Sequence, residues 1–159
     1  MKVFLPGGAG LVGLNLIEKI FSRHRDWEIL VVDKKIEAIE IGKKLFPKVK
    51  FLCENLTYKG NQTWYKEILD YDCCVLLQAE IGNLDQNQFL INNVLSTEVI
   101  LKEIKKSKIK RIIHISSSVV NSVSNDLYTQ TKIKQENLVL NEFPEAIVFR
   151  PTLMFGWFD

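Results

Sequence analysis

The chain has 159 residues, a mass of 18.4 kDa, 47% hydrophobic residues and 25% charged residues, which are ordinary values for one globular domain. Its formal net charge of +2 is too small to indicate binding to nucleic acid or to an anionic membrane. No apolar stretch of the sequence reaches the ~18 residues of a membrane span, and the first apolar run is too short for a signal peptide, so we expect a cytoplasmic protein.

Short apolar runs of strand length alternate with helical patterns along the chain. Because a repeated strand–helix–strand unit forces parallel strands and right-handed crossovers, this pattern predicts an α/β fold with a doubly wound parallel sheet in the order 3-2-1-4-5-6. The predicted strands are Lys2–Leu5, Glu28–Val32, Val49–Leu52, Cys73–Leu77, Arg111–Ser116 and Ala146–Phe149. The predicted helices are Leu11–Arg23, Ile36–Lys44, Trp64–Leu69, Phe89–Lys106 and Tyr128–Glu142.

A glycine-rich turn follows the first predicted strand and opens the first helix. Gly7, Gly10 and Gly13 are spaced G-x-x-G-x-x-G, which differs from the G-x-G-x-x-G of many dehydrogenases. Glycine permits a positive φ and a close approach of the backbone to a pyrophosphate, and the helix N-terminus supplies free N–H groups for the phosphates. Gly13 would let the helix pack close to the strand. The alternative is a glycine-rich turn that binds nothing.

An aspartate closes the second predicted strand. Asp33 follows Gly13 by twenty residues, where a carboxylate accepts hydrogen bonds from the adenine ribose hydroxyls of a dinucleotide. Because this carboxylate would repel a 2′-phosphate, NAD is favoured over NADP, although Lys34 and Lys35 would soften the repulsion. The alternative is an aspartate in a surface turn.

The sulfur and imidazole side chains show no metal-binding pattern. Cys53, Cys73 and Cys74 make an odd count without the spacing of metal ligands. Cys73 and Cys74 lie in a predicted strand and would point to opposite faces, so we expect reduced cysteines in the core. His114, inside the fifth strand, is expected in the core and His24 at the surface. The sequence therefore predicts no metal site.

The densest basic stretch, Lys102 to Arg111, holds six Lys or Arg residues. It ends a predicted helix, where cations complement the helix dipole. We interpret it as a solvated helix end in preference to the alternative, an RNA-binding patch.

Three serines and a tyrosine–lysine pair follow the fifth strand. Ser116, Ser117 and Ser118 end that strand, and Ser118 is the candidate to orient a substrate oxygen for proton transfer to Tyr128. Tyr128 and Lys132 are four residues apart on a helix and so share a face. An ammonium about 5 Å from a phenolate stabilises it by ~3 kcal/mol at an effective dielectric near 20. The alternatives are a capping turn for the serines and an ordinary amphipathic helix for the pair.

The ordered set of motifs resembles the extended short-chain dehydrogenases, the NAD-dependent sugar-nucleotide epimerase/dehydratase family. The resemblance covers the whole chain and implies a single Rossmann-type NAD-binding domain over residues 1–159. The residues that carry it are Gly7–Gly13, Asp33, Leu77–Ala79, Asn92–Val94, Ser116–Ser118, Tyr128 with Lys132, Arg150 with Pro151, and Phe155 with Gly156.

The resemblance implies two sets of site residues. Asn55 stands where the family usually has an aspartate near the adenine, and its carbonyl would still accept from the adenine amine. The implied catalytic residues are Ser118, Tyr128 and Lys132. The implied cofactor-binding residues are Gly7, Gly10, Leu11, Val12, Gly13, Asp33, Lys34, Asn55, Leu56, Gln78, Ala79, Asn92, Ser116, Tyr128, Lys132 and Pro151.

The resemblance also implies a reaction and its partners. Typical substrates are nucleotide-linked sugars, and the usual chemistry is hydride removal from a carbinol carbon to NAD⁺, followed by epimerisation, elimination or release of a ketone. A homodimer through the helices predicted at Phe89–Lys106 and Tyr128–Glu142 is expected of the family.

Three features depart from the family pattern. The family's substrate domain lies mostly beyond the position where this chain stops, so we expect it to be largely absent. Only about ten residues separate Ser118 from Tyr128, and Asn121 replaces a tyrosine often found after the serines.

The sequence favours an NAD-dependent oxidoreductase or epimerase acting on a nucleotide sugar. The alternative is a non-catalytic dinucleotide-binding module that senses the cofactor or scaffolds a partner. The Tyr128/Lys132 pair favours the enzyme, because a sensor needs only the glycines and Asp33. A flavodoxin-like or methyltransferase domain is disfavoured by Ser118 together with Tyr128.

Overall fold

Six parallel strands form one sheet within residues 1–158, the part of the chain that the computed structural model describes. The strands are β1 (Lys2–Pro6), β2 (Glu28–Asp33), β3 (Lys50–Cys53), β4 (Cys73–Leu76), β5 (Arg111–Ile115) and β6 (Ile147–Phe149). Their order is β3-β2-β1-β4-β5-β6, which confirms the predicted doubly wound topology. The order in which the strands are added to the sheet reverses between β1 and β4. A ligand crevice is expected at that point, outside the carboxyl ends of the strands.

Helices connect consecutive strands, and the predicted ends of helices and strands agree with the observed ones within two residues. The helices are α1 (Leu11–Arg23), α2 (Ile36–Leu45), α3 (Thr63–Glu67), α4 (Asn87–Phe89), α5 (Ser96–Ile104) and α6 (Leu127–Glu142). A π-helical segment, Leu90–Leu95, joins α4 to α5, and 3-10 turns occupy Ile68–Asp70 and Ser118–Asn121. The sequence pattern predicted one regular helix where α4, the π segment and α5 stand. None of the helices in residues 1–158 is long and apolar enough to span a membrane.

Alternate strand residues pack into two hydrophobic clusters, one on each face of the sheet. Phe4 belongs to one cluster, where it stacks on the buried Trp64, and its neighbour Val3 belongs to the other. Cys74 and Cys73 divide between the clusters in the same way, as predicted. The prediction of a core position is wrong for Cys53, which is exposed because it ends the edge strand β3.

The two histidines lie where the sequence placed them. His114 is fully buried in β5, and His24 is exposed and stacks on Trp27.

Three of the six basic residues in the stretch at the end of α5 pair with carboxylates. Lys106 pairs with Glu103 on its own helix, and Lys105 pairs with Glu142 at the end of α6. Lys108 likewise pairs with Asp70. These ion pairs favour the solvated helix end over a surface arranged to bind RNA.

Candidate active site

A cavity of about 810 Å³ lies at the carboxyl ends of the parallel strands. Its volume is within the ~300–1,000 Å³ of small-molecule sites. All but one of the residues that the sequence assigned to the site line this cavity. They are Gly7, Gly10, Leu11, Val12, Gly13, Asp33, Lys34, Asn55, Leu56, Gln78, Ala79, Asn92, Ser116, Ser118, Tyr128 and Lys132. The exception is Pro151, whose carbonyl accepts a hydrogen bond of 2.9 Å from the Ser118 amide just outside the lining.

The three glycines of the first turn differ in how much space a side chain would have. Gly7 has φ +72°, and a Cβ there would stand 2.5 Å from the Cα of Gln78. A Cβ on Gly13 would stand 2.1 Å from the carbonyl oxygen of Gly8, so this glycine is required where α1 packs on the turn. A Cβ on Gly10 would meet nothing within 4 Å. Two glycines therefore serve the fold, while Gly10 faces open space beside the cavity.

The N-terminus of α1 forms one wall of the cavity. Gly10 is its N-cap and no side chain caps the helix, so the amides of Leu11, Val12 and Gly13 keep no side-chain acceptor. Such free amides, together with the positive end of the helix dipole, favour an anionic group such as a phosphate.

Asp33 lies at the carboxyl end of β2, and its carboxylate accepts a 3.2 Å hydrogen bond from the Lys35 amide. The Lys34 ammonium donates to Asn92 Oδ1 at 2.8 Å, and Asn92 in turn donates to Glu80. The Lys34 ammonium is therefore engaged with the π-helical segment.

Asn55 lines the cavity, but its side-chain oxygen is engaged within its own loop. That oxygen accepts hydrogen bonds from the Thr57 amide at 3.0 Å and from the Thr57 hydroxyl at 2.8 Å. Because both lone pairs of the oxygen are used, the structure leaves no acceptor there for an adenine amine.

The serines after β5 meet the start of α6 at the other end of the cavity. Ser117 caps the 3-10 turn by accepting from the Val119 amide at 3.4 Å, so the capping interpretation holds for this serine. Ser118 opens the turn and lines the cavity together with Tyr128. Asp126 caps α6 by accepting from the Thr129 amide at 2.7 Å, which fixes the first turn of the helix that carries Tyr128.

Lys132 is fully buried on the inner face of α6. Its ammonium donates to the Ile115 carbonyl at 3.1 Å and to Gln135 Oε1 at 2.6 Å. Burial lowers the pKa of Lys132 to about 8, and the negative charge of Glu136 opposes part of that change. The cation is thus held by neutral oxygens in a wall that excludes water.

Two buried amides to which the sequence assigned no site role support this end of the cavity. Gln135 Nε2 donates to the Gln78 carbonyl at 3.3 Å and to the Thr97 hydroxyl at 3.0 Å. Asn93, in the π segment, accepts from the Glu80 amide at 2.6 Å and donates to the Thr131 hydroxyl at 3.0 Å. One signal was available for Gln135, because a polar residue three positions after Lys132 shares its helical face.

Two further titratable groups lie near Lys132. His114 has no hydrogen bond to either ring nitrogen within residues 1–158, and burial, with help from the Lys132 charge, lowers its pKa to about 3. The Arg150 guanidinium binds the Glu136 carboxylate and lowers its pKa. No group of three or more His, Cys, Asp or Glu in the described residues is placed to hold a metal ion.

A doubly wound parallel sheet with a glycine turn and a free helix N-terminus at the switch point defines the Rossmann class of dinucleotide-binding folds. Within that class, the model of the NAD dependent epimerase/dehydratase family matches residues 3–156. The chain belongs to this family, which confirms the resemblance seen in the sequence.

The chain is similar to solved structures of an epimerase and of a second enzyme, both of which hold NAD. UDP-glucuronic acid 4-epimerase from Bacillus cereus, in complex with NAD, matches with a TM-score of 0.84 and 21% identity over 100% of this chain and 58% of that one. WbmF from Bordetella bronchiseptica, in complex with NAD⁺ and UDP, matches with a TM-score of 0.76 and 23% identity over 94% of this chain and 48% of that one. The chain therefore spans about half the length of these proteins.

A curated relative that is not described as an epimerase also matches. The protein FMP52-1, mitochondrial, from Scheffersomyces stipitis is 24% identical over a match that covers 98% of this chain and 68% of the relative.

Proposed function

We propose that this chain binds NAD and acts as an NAD-dependent oxidoreductase, epimerase or dehydratase on a nucleotide-linked sugar, by hydride transfer assisted by Tyr128 and Lys132. The observation that carries the proposal is a single cavity that joins the glycine turn and Asp33 at one end to Tyr128 and Lys132 at the other. A fold of this class alone would support only dinucleotide binding.

The residues present fit the cofactor. The uncapped amides at the start of α1 suit a pyrophosphate, and the open space beside Gly10 lets the phosphates approach the backbone. Asp33, at the end of β2, would accept from ribose hydroxyls. Gln78 lines the cavity, and its buried Oε1 has no hydrogen bond from residues 1–158.

Bound NAD⁺ would supply the hydride acceptor, and the chain's own side chains would manage the proton. The Tyr128 phenolate would take the proton of the substrate hydroxyl, which Ser118 would orient, and would become the neutral phenol. The Lys132 ammonium would stabilise the phenolate before this transfer. Because burial lowers the pKa of Lys132 only to about 8, most of this side chain stays charged at pH 7.

The nucleotide-sugar substrate is proposed from the family and from its relatives, since the similar structures contain UDP-glucuronic acid or UDP. We further propose that residues 1–159 act as one NAD-binding domain and that two copies pair through the helices α5 and α6. The cytoplasmic location stays a prediction from the sequence.

Calorimetric titration of the pure protein with NAD⁺, NADH and NADP⁺ tests the proposal. We expect micromolar binding of NAD⁺ and NADH, weaker binding of NADP⁺, and weaker binding of NAD⁺ by the variant Asp33→Ala. Asp26→Ala is the matched control, because Asp26 is exposed and lies outside the cavity lining. Equal affinity for NADP⁺ would overturn the role of Asp33, and no binding of any dinucleotide would overturn the function.

A non-catalytic dinucleotide-binding module is the second candidate. It would need only the glycine turn and Asp33, which line the cavity. Incubation with NAD⁺ and either UDP-glucose or UDP-glucuronic acid separates the two candidates. Micromolar binding of NAD⁺ without conversion of either sugar would favour the module, whereas formation of a 4-epimer or of NADH would favour the enzyme.

A further inference from the structure

We propose that Gln135 is a positioning residue that holds the Lys132 ammonium in the cavity wall and links it to the loop after β4. The proposal rests on the proposed role of Lys132 and adds a residue that neither the family motif nor the sequence spacing assigns. It is argued from the contacts of one fully buried amide.

Both ends of the Gln135 amide are used. Its oxygen accepts from the Lys132 ammonium at 2.6 Å, and its nitrogen donates to the Gln78 carbonyl and to the Thr97 hydroxyl. Gln135 and Lys132 both have 0% exposed surface, so water cannot replace these partners. The amide therefore joins α6 to α5 and to the segment that follows β4.

An amide is the side chain that meets both demands. A carboxylate at this position would hold the ammonium but could not donate to the Gln78 carbonyl. A thioether of similar length would fill the volume but would leave both the ammonium and the carbonyl without this partner. Gln135 thus satisfies a buried cation without adding a second buried charge.

The contacts continue to the glycine turn. The backbone of Gln78 packs so closely on Gly7 that a Cβ there would stand 2.5 Å from its amide nitrogen. A chain of contacts therefore runs from Lys132 through Gln135 and Gln78 to Gly7. The position of the cation is set by the same loop that shapes the pyrophosphate end of the cavity.

Four other charged or titratable side chains lie around Lys132. Tyr128 and Glu136 lie on the same helix, His114 lies on β5, and Arg150 follows β6 and is bound to Glu136. Among these, the charge of Glu136 raises the pKa of Lys132, and His114 is neutral at pH 7 because burial lowers its pKa to about 3. Changes at Gln135 leave all four of these groups in place.

The test is an NMR titration of Lys132 in the full chain labelled with ¹³Cε-lysine, in which its signal is assigned by its loss from Lys132→Met. Gln135→Met removes the acceptor, so we expect the pKa of Lys132 to fall by roughly 1 to 2 below its wild-type value. Gln135→Glu keeps an acceptor and adds a negative charge, so we expect the pKa to rise above the wild-type value. Gln130→Met on the same helix, where Gln130 binds only Asn125, is expected to leave it unchanged.

Opposite shifts in the two Gln135 variants support the proposal, because a general loosening of the packing would move both in one direction. An unchanged pKa of Lys132 in Gln135→Met would overturn the proposal. If Gln135→Met does not fold, an unchanged or lowered pKa of Lys132 in Gln135→Glu would overturn it instead. The titration requires no cofactor. Failure of the wild-type chain to bind NAD⁺ would overturn the proposed function and would leave the result for Gln135 readable.

Discussion

The two ends of the cavity offer a ligand different kinds of groups. At the glycine end, defined by Gly7, Gly10, Gly13 and Asp33, the groups available to a ligand are mainly backbone amides at the start of α1. At the tyrosine end, defined by Ser118, Tyr128 and Lys132, they are side chains. The glycine end depends on the absence of side chains, whereas the tyrosine end depends on buried polar side chains that hold one another in place.

This difference decides how each end responds to change. A backbone site is damaged by added volume, because its shape comes from the close approach of two chain segments. A side-chain site is damaged by a missing donor, acceptor or charge, and it carries the desolvation cost of its buried ionisable groups. Single substitutions at each end can separate these two kinds of sensitivity.

The largest effect is expected from removal of one hydroxyl at the tyrosine end. If Tyr128 is the proton acceptor, Tyr128→Phe should lower kcat by roughly 10²- to 10⁴-fold, while the affinity for NAD⁺ stays near that of the wild type. Steady-state kinetics with a UDP-sugar, together with calorimetry, measures both quantities. Tyr58→Phe is the control, since Tyr58 is exposed and lies outside the cavity lining. Turnover by Tyr128→Phe within twofold of the wild type would show that another group takes the proton.

The buried histidine near the tyrosine end should make the fold sensitive to acid. Burial lowers the pKa of His114 from 6.5 to about 3. This side chain therefore becomes protonated below pH 6.5 in the unfolded chain but only near pH 3 in the folded chain. The folded state therefore loses stability as the pH falls through this window, by up to about 4 to 5 kcal/mol. His114→Leu removes this loss and two unpaired buried nitrogens.

Urea unfolding at several pH values measures this effect. We expect the free energy of unfolding of His114→Leu to exceed that of the wild type by an amount that grows from pH 7 to pH 4. His24→Gln, a change at the surface, should follow the wild-type profile. Equal acid sensitivity of His114→Leu and the wild type would mean that His114 is solvated or paired in the folded protein.

The sequence singles out the residues of the glycine end, which line the cavity, because a backbone site has a local signature. The spacing of Gly7, Gly10 and Gly13 after an apolar strand, followed by Asp33 at the end of the next strand, is read directly from one continuous segment. The same local rules placed all six strands, and the doubly wound order followed from their alternation with helices. The spacing of these motifs does not indicate that the Asn55 oxygen is engaged by the nearby Thr57.

At the tyrosine end the sequence predicted candidate catalytic residues but not the side chains that support them. Tyr128 and Lys132 are neighbours on a helix, whereas Gln135 reaches partners 57 and 38 residues away, and no spacing rule connects them. The π-helical turn that carries Asn93 was also missed, because a single widened turn leaves the apolar pattern of the flanking helix almost unchanged. Long-range hydrogen bonds of this kind become visible only when the fold brings the elements together.

The smallest effect distinguishes two glycines within the first turn. A Cβ at residue 13 would collide with the Gly8 carbonyl oxygen at 2.1 Å, so Gly13→Ala should lower the free energy of unfolding by about 3 kcal/mol. This loss exceeds the ~1 kcal/mol by which alanine is favoured over glycine inside a helix. Gly10→Ala has open space around its Cβ and should cost less than about 1 kcal/mol. If the phosphates approach α1 as proposed, that methyl group would stand in their way and should still weaken NAD⁺ binding. Urea unfolding and calorimetry on both variants measure the two effects. Unchanged NAD⁺ affinity in a stable Gly10→Ala variant would mean that the pyrophosphate does not lie against the helix N-terminus.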